Sequence, residues 1–245
     1  MPDPFFIHGK QRKSRWLVTC DHATNRVPES VSENGLGLTP ADMQRHIAYD
    51  IGAAGVSRYL ADLLDSSAIL SNFSRLVIDP NRGEKDPTVL MRLYDGSIIP
   101  GNRHADIEEK ERRLNGFHRP YHDALAERAA QRDDTVIISI HSFTPQLKGR
   151  ARRPWEIGVL HSDDDRYSRP LMNRLRQEDD LTIGDNEPYS GYLPGDAIDR
   201  HGRGPERPHV LIELRNDLIA HDDGQRLWAE RLAPILVETL NKTQL

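Results

Sequence analysis

Residues 135–140, Thr-Val-Ile-Ile-Ser-Ile, constrain the fold more than any other stretch of the chain. Five of these six residues are β-branched. Such a near-continuous run indicates a strand that is buried on both of its faces. Strands of this kind belong to sheets with helices on both sides, so the run predicts an α/β protein.

Alternating strand and helix patterns flank this run. Strands are predicted in the opening stretch and at residues 16–20, 68–70, 76–78, 156–160, 181–183 and 209–214. Helices are predicted at residues 52–64, 107–132, 169–176 and 223–240, with a further helix capped by Thr39 and a kink at Pro120. The alternation predicts a three-layer α/β sandwich with a mixed, largely parallel sheet.

Length and charge limit the domain organisation and the class of partner. The chain has 245 residues, of which 37% are hydrophobic, enough to bury one sizeable core. We therefore expect a single domain over residues 1–245, with long loops at 83–104 and 186–208. A formal charge of -5 gives no basic footprint for nucleic acid. Local arginine clusters instead suit small anions.

Cysteine usage and hydropathy indicate the compartment. The single cysteine, Cys20, cannot form an internal disulfide, which is typical of a reducing compartment. No stretch approaches the roughly 18 apolar residues of a membrane span, and the N-terminus lacks the apolar core of a signal peptide. We expect a cytoplasmic protein that binds neither membranes nor nucleic acid.

Polar residues collect where the predicted strands end. In open α/β sheets, ligands bind beyond the carboxyl ends of the strands. The residues at these positions are His22, Asp79, Asn81, Arg82, His141, Ser142, Glu213 and Arg215. Together they predict a functional site at that edge of the sheet.

Two of these residues, His22 and His141, are candidate metal ligands. A catalytic zinc site commonly takes three ligands from histidine and carboxylate side chains and leaves one position open. The third ligand is either Asp50, which we prefer, or Glu29. In the alternative interpretation, each histidine caps a loop through its ring nitrogens.

Glu213 interrupts an otherwise apolar strand, where an unpartnered carboxylate is costly to bury. Its functional interpretation is a general base that takes a proton from water and passes it to a leaving amine. Arg215 is a second candidate for the chemistry, as a cation that holds a substrate carboxylate or a developing oxyanion. The alternative is an ion pair between Glu213 and Arg215 at the strand end.

A planar guanidinium and a side-chain amide suit recognition of a carboxylate. Arg82 and Asn81 supply these groups, and Arg75 adds a positive charge at the rim, so the substrate is expected to be acidic. In the alternative interpretation, Asp79 and Arg82 merely close a turn at Pro80.

Two further stretches of the chain contain histidines. The glycine-rich second loop contributes Asn186, Tyr189 and His201 as candidate binding residues, whereas Asp196 is interpreted as a plain surface-loop residue, as is Asp199. His118 and His122 lie at i and i+4, a spacing that metal sites use. Since no HExxH signature accompanies them, we favour a packed or surface pair.

Seven short motifs resemble the N-formylglutamate amidohydrolase family. The matching pieces are CDHATNRVPE (20–29), YDIGA (49–53), FSRLVIDPNR (73–82), RPYHDAL (119–125), ISIHSF (138–143), DNEPYSG (185–191) and PHVLIELRNDL (208–218). They occur in the order of the family and cover most of residues 15–220. Each motif alone is a weak indication of the family, but the seven motifs in this order are specific to it.

The resemblance implies hydrolysis of the amide bond of an N-formyl or N-acyl amino acid such as N-formyl-L-glutamate, with zinc as the cofactor. It also implies the zinc-exopeptidase-like (phosphorylase/hydrolase-like) architecture of zinc carboxypeptidases and aspartoacylases. In those relatives an HxxE pair and a later His hold the metal, an Asn-Arg pair binds the substrate carboxylate, and a late Glu is the base. The residues that match these roles are His22, His141, Asn81, Arg82 and Glu213.

The chain departs from this pattern at one point. His22 is followed three residues later by Asn25 instead of a glutamate, so the carboxylate ligand comes from elsewhere or is absent. Two rival functions follow: a deacylase or peptidase of the same fold that acts on another N-acyl amino acid, and a non-catalytic anion-binding relative without a metal.

Overall fold

The computed structural model describes residues 3–33 and 35–245. Its strands are β1 (Phe5–His8), β2 (Trp16–Cys20), β3 (Ser67–Ser71), β4 (Leu93–Tyr94), β5 (Ser97–Ile98), β6 (Val136–Phe143), β7 (Ile157–Leu160), β8 (Ile183–Asp185) and β9 (His209–Arg215). Its helices are α1 (Pro40–Met43), α2 (Ala53–Leu63), α3 (Ile107–Arg113), α4 (Arg119–Ala129), α5 (Ser168–Leu175) and α6 (Asp222–Lys242). Within these described ranges, no helix combines the length and the hydrophobicity needed to cross a membrane.

Seven strands form one mixed, largely parallel sheet in the order β1-β3-β2-β6-β9-β7-β8. Strand β2 pairs in parallel with β3 and β6, and β6 pairs in parallel with β9. Strand β1 runs antiparallel to β3, and β7 runs antiparallel to β9. Strand β6 therefore lies in the middle of the sheet and is buried along its whole length, as its β-branched sequence predicts.

Helices cover both faces of the sheet and complete three layers. On one face, α2, α5 and α6 pack against strand residues such as Val18 and Ile138. On the other face, Ala129 of α4 packs with Leu17 and Ile137. Because successive side chains of a strand point to opposite faces, neighbouring residues of β2 and β6 enter different cores. The predicted three-layer α/β sandwich is confirmed.

The predicted strand at residues 76–78 is wrong. These residues are buried, but they form a turn that belongs to no sheet. The side chain of Asn102 donates to the carbonyl of Leu76 at 2.8 Å, and Arg113 donates to the carbonyl of Val77 at 2.9 Å. Side chains thus satisfy backbone groups that a sheet would otherwise pair, and the apolar run is buried without strand geometry.

The predicted helix at residues 107–132 is divided into two α-helices upstream of Pro120. A π-helical turn, Leu114–His118, separates α3 from α4. Pro120 lies in the first turn of α4, directly after this π-helical turn.

The two predicted long loops contain short regular elements. The first includes the β4–β5 hairpin, which forms a separate two-stranded sheet. The second includes a π-helical turn at Asp199–Arg203. Both loops contribute lining residues to one cavity at the carboxyl ends of β2 and β6.

Candidate active site

The carboxyl ends of two adjacent parallel strands bring His22 and His141 together. His22 follows β2, and His141 lies near the end of β6. Their ring centroids are 5.0 Å apart, with an interplanar angle of 77°. Asp50 joins them from the loop before α2, where its amide donates to the carbonyl of His22 at 2.9 Å. All three side chains are buried.

Both imidazoles direct Nδ1 towards Asp50. The Oδ2 atom of Asp50 lies 2.8 Å from His141 Nδ1 and 3.3 Å from His22 Nδ1. The amide of Ser142 donates to the same oxygen at 3.2 Å. One ligand atom from each of His22, Asp50 and His141 lies within 4.8 Å of the other two. Glu29, the alternative third ligand, is exposed and does not belong to this group.

Each imidazole contacts a buried carboxylate through its other ring nitrogen. His22 Nε2 lies 2.7 Å from Asp79 Oδ1, and His141 Nε2 lies 3.0 Å from Asp21 Oδ2. Without an ion, His141 Nδ1 donates to Asp50 Oδ2. In a neutral imidazole whose Nε2 donates to a carboxylate, the Nδ1 lone pair is free for a metal ion, which is the arrangement around metal-binding histidines. The sequence analysis missed Asp21, whose one signal is its position directly before His22.

Asp79 connects this arrangement to Arg75. The guanidinium donates to Asp79 Oδ2 at 2.8 Å and lies 3.5 Å from Asp50 Oδ1. Burial alone would raise the pKa of Asp79, but the charges of Arg75 and His22 hold it well below its usual value. The sequence predicts Arg75 at the rim of the site, whereas the structure buries it in ion pairs with two carboxylates.

Two carboxylates also set the charge state of His141. Burial alone would lower the pKa of His141, but hydrogen bonds with Asp21 and Asp50 raise it well above its usual value. Burial likewise opposes ionisation of Asp50, yet the charge of His22 and the hydrogen bond with His141 lower its pKa. Two imidazoles and a carboxylate are the donor set of many catalytic zinc sites. These residues therefore fit a divalent metal ion.

Glu213 faces the same group from β9. It pairs in register with His141 on β6 and with Gly158 on β7. The carboxylate is buried, and Oε2 has no hydrogen-bond partner in the described part of the chain. Burial raises the pKa of Glu213 to about 7. A group that titrates near neutrality can accept a proton and return it.

Arg215 does not pair with Glu213. It donates to Asp217 at 2.9 Å and to Glu156 at 2.8 Å. The side chains that line the cavity do not include Arg215. The structure thus contradicts the ion-pair alternative for Glu213. It also places Arg215, predicted to take part in the chemistry, in an ion-pair network outside the cavity.

Asn81 and Arg82 line the cavity. Asn81 Oδ1 accepts from the amide of Ala197 at 3.3 Å, so its Nδ2 is the group left for a ligand. Arg82 donates through Nε to Thr88 Oγ1 at 3.2 Å. No carboxylate of the described residues lies within 4.0 Å of this guanidinium. Asp79 does close a turn at Pro80, since its Oδ1 accepts from the amide of Asn81 at 2.9 Å, but Arg82 forms no ion pair with it.

Two buried histidines hold the backbone of this segment. His122 Nε2 lies 2.9 Å from the carbonyl of Pro80, and His118 Nε2 lies 2.9 Å from the carbonyl of Arg82. Both nitrogens donate, because a carbonyl only accepts. Burial lowers the pKa of both rings, so they remain neutral. The two histidines are a packed pair, and they position the residues that face the cavity.

The second loop sends Tyr189 to the cavity but not Asn186. Asn186 has a φ of 51°, and its Oδ1 accepts from the amides of His161 and Gly191 at 2.9 and 3.0 Å. It fixes a turn instead of lining the cavity. His201 is buried, does not line the cavity, and stacks on His122 with its Nε2 2.8 Å from His122 Nδ1.

The interpretation of Asp196 as a plain surface residue is wrong. It is 4% exposed and lines the cavity. Its Oδ1 accepts from the amide of Asp199 at 2.7 Å, and burial raises the pKa of Asp196 to about 7. The surrounding glycines and prolines are typical of an exposed turn. In the structure, however, Gly195 packs closely against Gly83, so that a Cβ on Gly195 would lie only 3.0 Å from Gly83 Cα.

These side chains enclose a cavity of about 270 Å³, a size that suits a small molecule. The lining includes the titratable groups described above. It also includes four aromatic residues and three leucines, namely Tyr94, Phe143, Tyr189, Tyr192, Leu160, Leu193 and Leu211. A ligand in this cavity would therefore contact both charged and apolar surface.

Sequence comparison decides the family. The family described as N-formylglutamate amidohydrolase matches residues 14–220. The chain belongs to the N-formylglutamate amidohydrolase family. Its motifs predict this membership, and the membership makes it a hydrolase of linear amides. Among curated proteins, no sequence matches the chain significantly.

Solved structures share the fold of this N-formylglutamate amidohydrolase family member. A gene product of Agrobacterium tumefaciens is 31% identical, with a TM-score of 0.90 over 98% of this chain and 95% of that chain. An N-formylglutamate amidohydrolase from Ralstonia eutropha is 20% identical, with a TM-score of 0.72 over 98% of both chains. A bacteriophage poly-gamma-glutamate hydrolase is 10% identical, with a TM-score of 0.51 over 98% of this chain and 92% of that chain.

The burial of Asp196 should make the stability of this family member depend on pH. Its pKa is about 7 in the folded state and ordinarily 3.8, so the stability that it contributes is full below about pH 4 and is lost as the pH rises through 7. Relative to Asp196→Asn, the free energy of unfolding of the wild type should fall between pH 5 and 7 by at most about 1.4 kcal/mol per pH unit.

Urea denaturation of chelator-treated protein at several pH values measures this difference. Asp133→Asn, which changes an exposed carboxylate, is the matched control and should give no such slope. A difference between wild type and Asp196→Asn that stays constant from pH 5 to 8 would show that Asp196 ionises normally.

Proposed function

We propose that this chain hydrolyses the amide bond of a small N-formyl or N-acyl acidic amino acid, such as N-formyl-L-glutamate, and releases formate and the free amino acid. The main support is Glu213, whose buried carboxylate has an unpartnered oxygen beside His22, Asp50 and His141. Such a carboxylate is costly to bury unless it acts on a ligand. Family membership supports the same amide chemistry.

In this proposal, His22, Asp50 and His141 hold one divalent ion, zinc, through two imidazole nitrogens and a carboxylate oxygen. When bound, the ion supplies Lewis acidity at the scissile amide. Asp79 and Asp21 accept hydrogen bonds from the outer ring nitrogens. With the ion bound, these contacts would keep the proton of each imidazole on Nε2 and leave Nδ1 as the ligand atom.

Glu213 acts as the general base. It takes a proton from the water that attacks the acyl carbon, and it returns that proton to the amide nitrogen as the C–N bond breaks. The products are the carboxylate of the acyl group and the free amine. A pKa near 7 suits both transfers, because the group is then neither too weak a base nor too weak an acid at neutral pH.

Arg82 and Asn81 bind a carboxylate of the substrate. Arg82 offers a guanidinium without a carboxylate partner among the described residues, and Asn81 offers its Nδ2 amide. Contacts of this kind orient the scissile amide as well as binding the substrate. Their loss should therefore affect turnover and KM together.

The test is formate release from N-formyl-L-glutamate by purified protein. Arg82→Met is expected to raise KM at least about 10-fold and to lower kcat, because hydrogen bonds to a charged group are worth about 1.5–3 kcal/mol. Arg103→Met removes an exposed guanidinium outside the cavity and should change neither constant.

A panel of acylated substrates tests the acyl group. N-acetyl-L-glutamate and N-formyl-L-glutamate, assayed side by side, distinguish a formyl hydrolase from a deacylase of the same fold. If zinc-loaded wild type hydrolyses no N-acyl acidic amino acid, the proposed function is wrong, and a non-catalytic anion-binding role becomes the better account.

A further inference from the structure

A second guanidinium without a carboxylate partner lies beside the cavity. Arg153 is half-buried, and its guanidinium carbon lies 5.6 Å from the ring centroid of Phe143 and 5.0 Å from that of Tyr189. Both of these rings line the cavity. No carboxylate of the described chain lies within 4.0 Å of Arg153. A guanidinium in this position is available to pair with an anionic ligand.

The Arg153 side chain is held in place but is not saturated. Its Nη1 donates to the carbonyl of Thr144 at 3.0 Å and to the hydroxyl of Tyr189 at 3.3 Å. Its backbone amide donates to the carbonyl of Pro145 at 2.8 Å. A guanidinium has five N–H donors in a fixed fork, so Nε and Nη2 remain for a planar anion.

Arg153 contacts two aromatic rings of the cavity that holds the reacting centre. Phe143 follows His141 by two residues on β6, so the two side chains share a face and their Cα atoms are roughly 7 Å apart. Tyr189 lines the same cavity as Glu213, and its hydroxyl accepts from Arg153.

The charges around the cavity separate the arginines into two kinds. Arg75 is neutralised by Asp79 and Asp50. Arg82 and Arg153 have no such partner within the residues that the structure describes, and they come from different loops. Two uncompensated guanidiniums beside one small cavity match a ligand with two carboxylates, one for each cation.

We propose that Arg153 is a specificity-determining residue that binds the side-chain carboxylate of a dicarboxylic N-acyl amino acid, while Arg82 binds the α-carboxylate. This inference rests on the proposed function, because it names the second anionic contact of the same substrate. The rings of Phe143 and Tyr189 hold the guanidinium between them, and the Tyr189 hydroxyl fixes its orientation.

The experiment compares N-formyl-L-glutamate with N-formyl-L-glutamine, which has the same shape but no side-chain charge. In Arg153→Met, kcat/KM for the glutamate compound should fall about 10- to 100-fold, the range expected for lost hydrogen bonds to a charged group. The value for the glutamine compound should change less than about 3-fold. Arg153→Lys keeps the charge without the fork and should recover part of the preference for glutamate.

Arg152→Met is the matched control, since Arg152 is exposed and pairs with Asp217; it should leave both values unchanged. Equal losses on both substrates in Arg153→Met and Arg153→Lys would assign a merely structural role to Arg153, and no loss on either would also overturn the inference. Wild type that hydrolyses both compounds while Arg153→Met keeps its glutamate-to-glutamine ratio refutes this inference alone. Wild type that hydrolyses neither compound refutes the proposed function and this inference with it.

Discussion

Glu213→Gln is expected to lower kcat for N-formyl-L-glutamate by about 10²- to 10⁴-fold, the usual contribution of a general base. Glutamine keeps the shape of the side chain but cannot accept and return a proton. The neighbouring ligands are not altered, so the variant should retain its metal and its fold. Steady-state kinetics, elemental analysis and thermal unfolding of the same preparation measure these three properties.

The control for this variant is Glu127→Gln, which makes the same change at an exposed position of α4. It should retain wild-type kcat. If Glu213→Gln keeps more than about a tenth of the wild-type kcat while its metal content is unchanged, the assignment of Glu213 as the base is wrong, because the smallest usual contribution of a general base is about 100-fold.

Removal of the metal is expected to abolish measurable turnover, and one equivalent of zinc should restore it. The reason is the donor set itself: His22, Asp50 and His141 converge within 4.8 Å, as ligands of a catalytic ion do. Chelator treatment followed by zinc titration, with activity and bound zinc measured in parallel, tests this expectation. Full activity in protein that contains less than about a tenth of an equivalent of metal would contradict it.

The same titration decides the third ligand. Asp50→Asn should bind zinc at least about 10-fold more weakly, because a charged first ligand matters no less than the outer contacts whose loss costs 10- to 100-fold. Glu29→Gln removes the exposed carboxylate that was the alternative third ligand in the sequence analysis. This variant should bind zinc like the wild type. The opposite ranking of the two variants would exclude Asp50 as the ligand.

The sequence predicted the sheet well and the turn at residues 76–78 badly, for one physical reason. Apolar β-branched runs report burial, and burial usually means a strand when the backbone must satisfy its own hydrogen bonds. At residues 76–78 the side chains of Asn102 and Arg113 satisfy two of these groups. Nothing within the run itself distinguishes the two cases.

The candidate site shows the same division. His22 and His141 were predictable, since both follow buried strands whose carboxyl ends meet in a parallel sheet. Asp196 was not, because its burial depends on the packing of one loop against another. Arg75 and Arg82 look alike along the chain, yet Arg75 lies in buried ion pairs and Arg82 does not.

By itself, the sequence determined the α/β sandwich, the family and the edge of the sheet at which titratable residues collect, because periodicity and strand ends are local properties of the chain. Only the tertiary structure decided that Asp50 meets both imidazoles, that Asp21 and Asp79 hold their outer nitrogens, and which guanidiniums are left without carboxylate partners. Those contacts join residues that are far apart in the chain, so they depend on how the loops pack in three dimensions and cannot be read from local sequence.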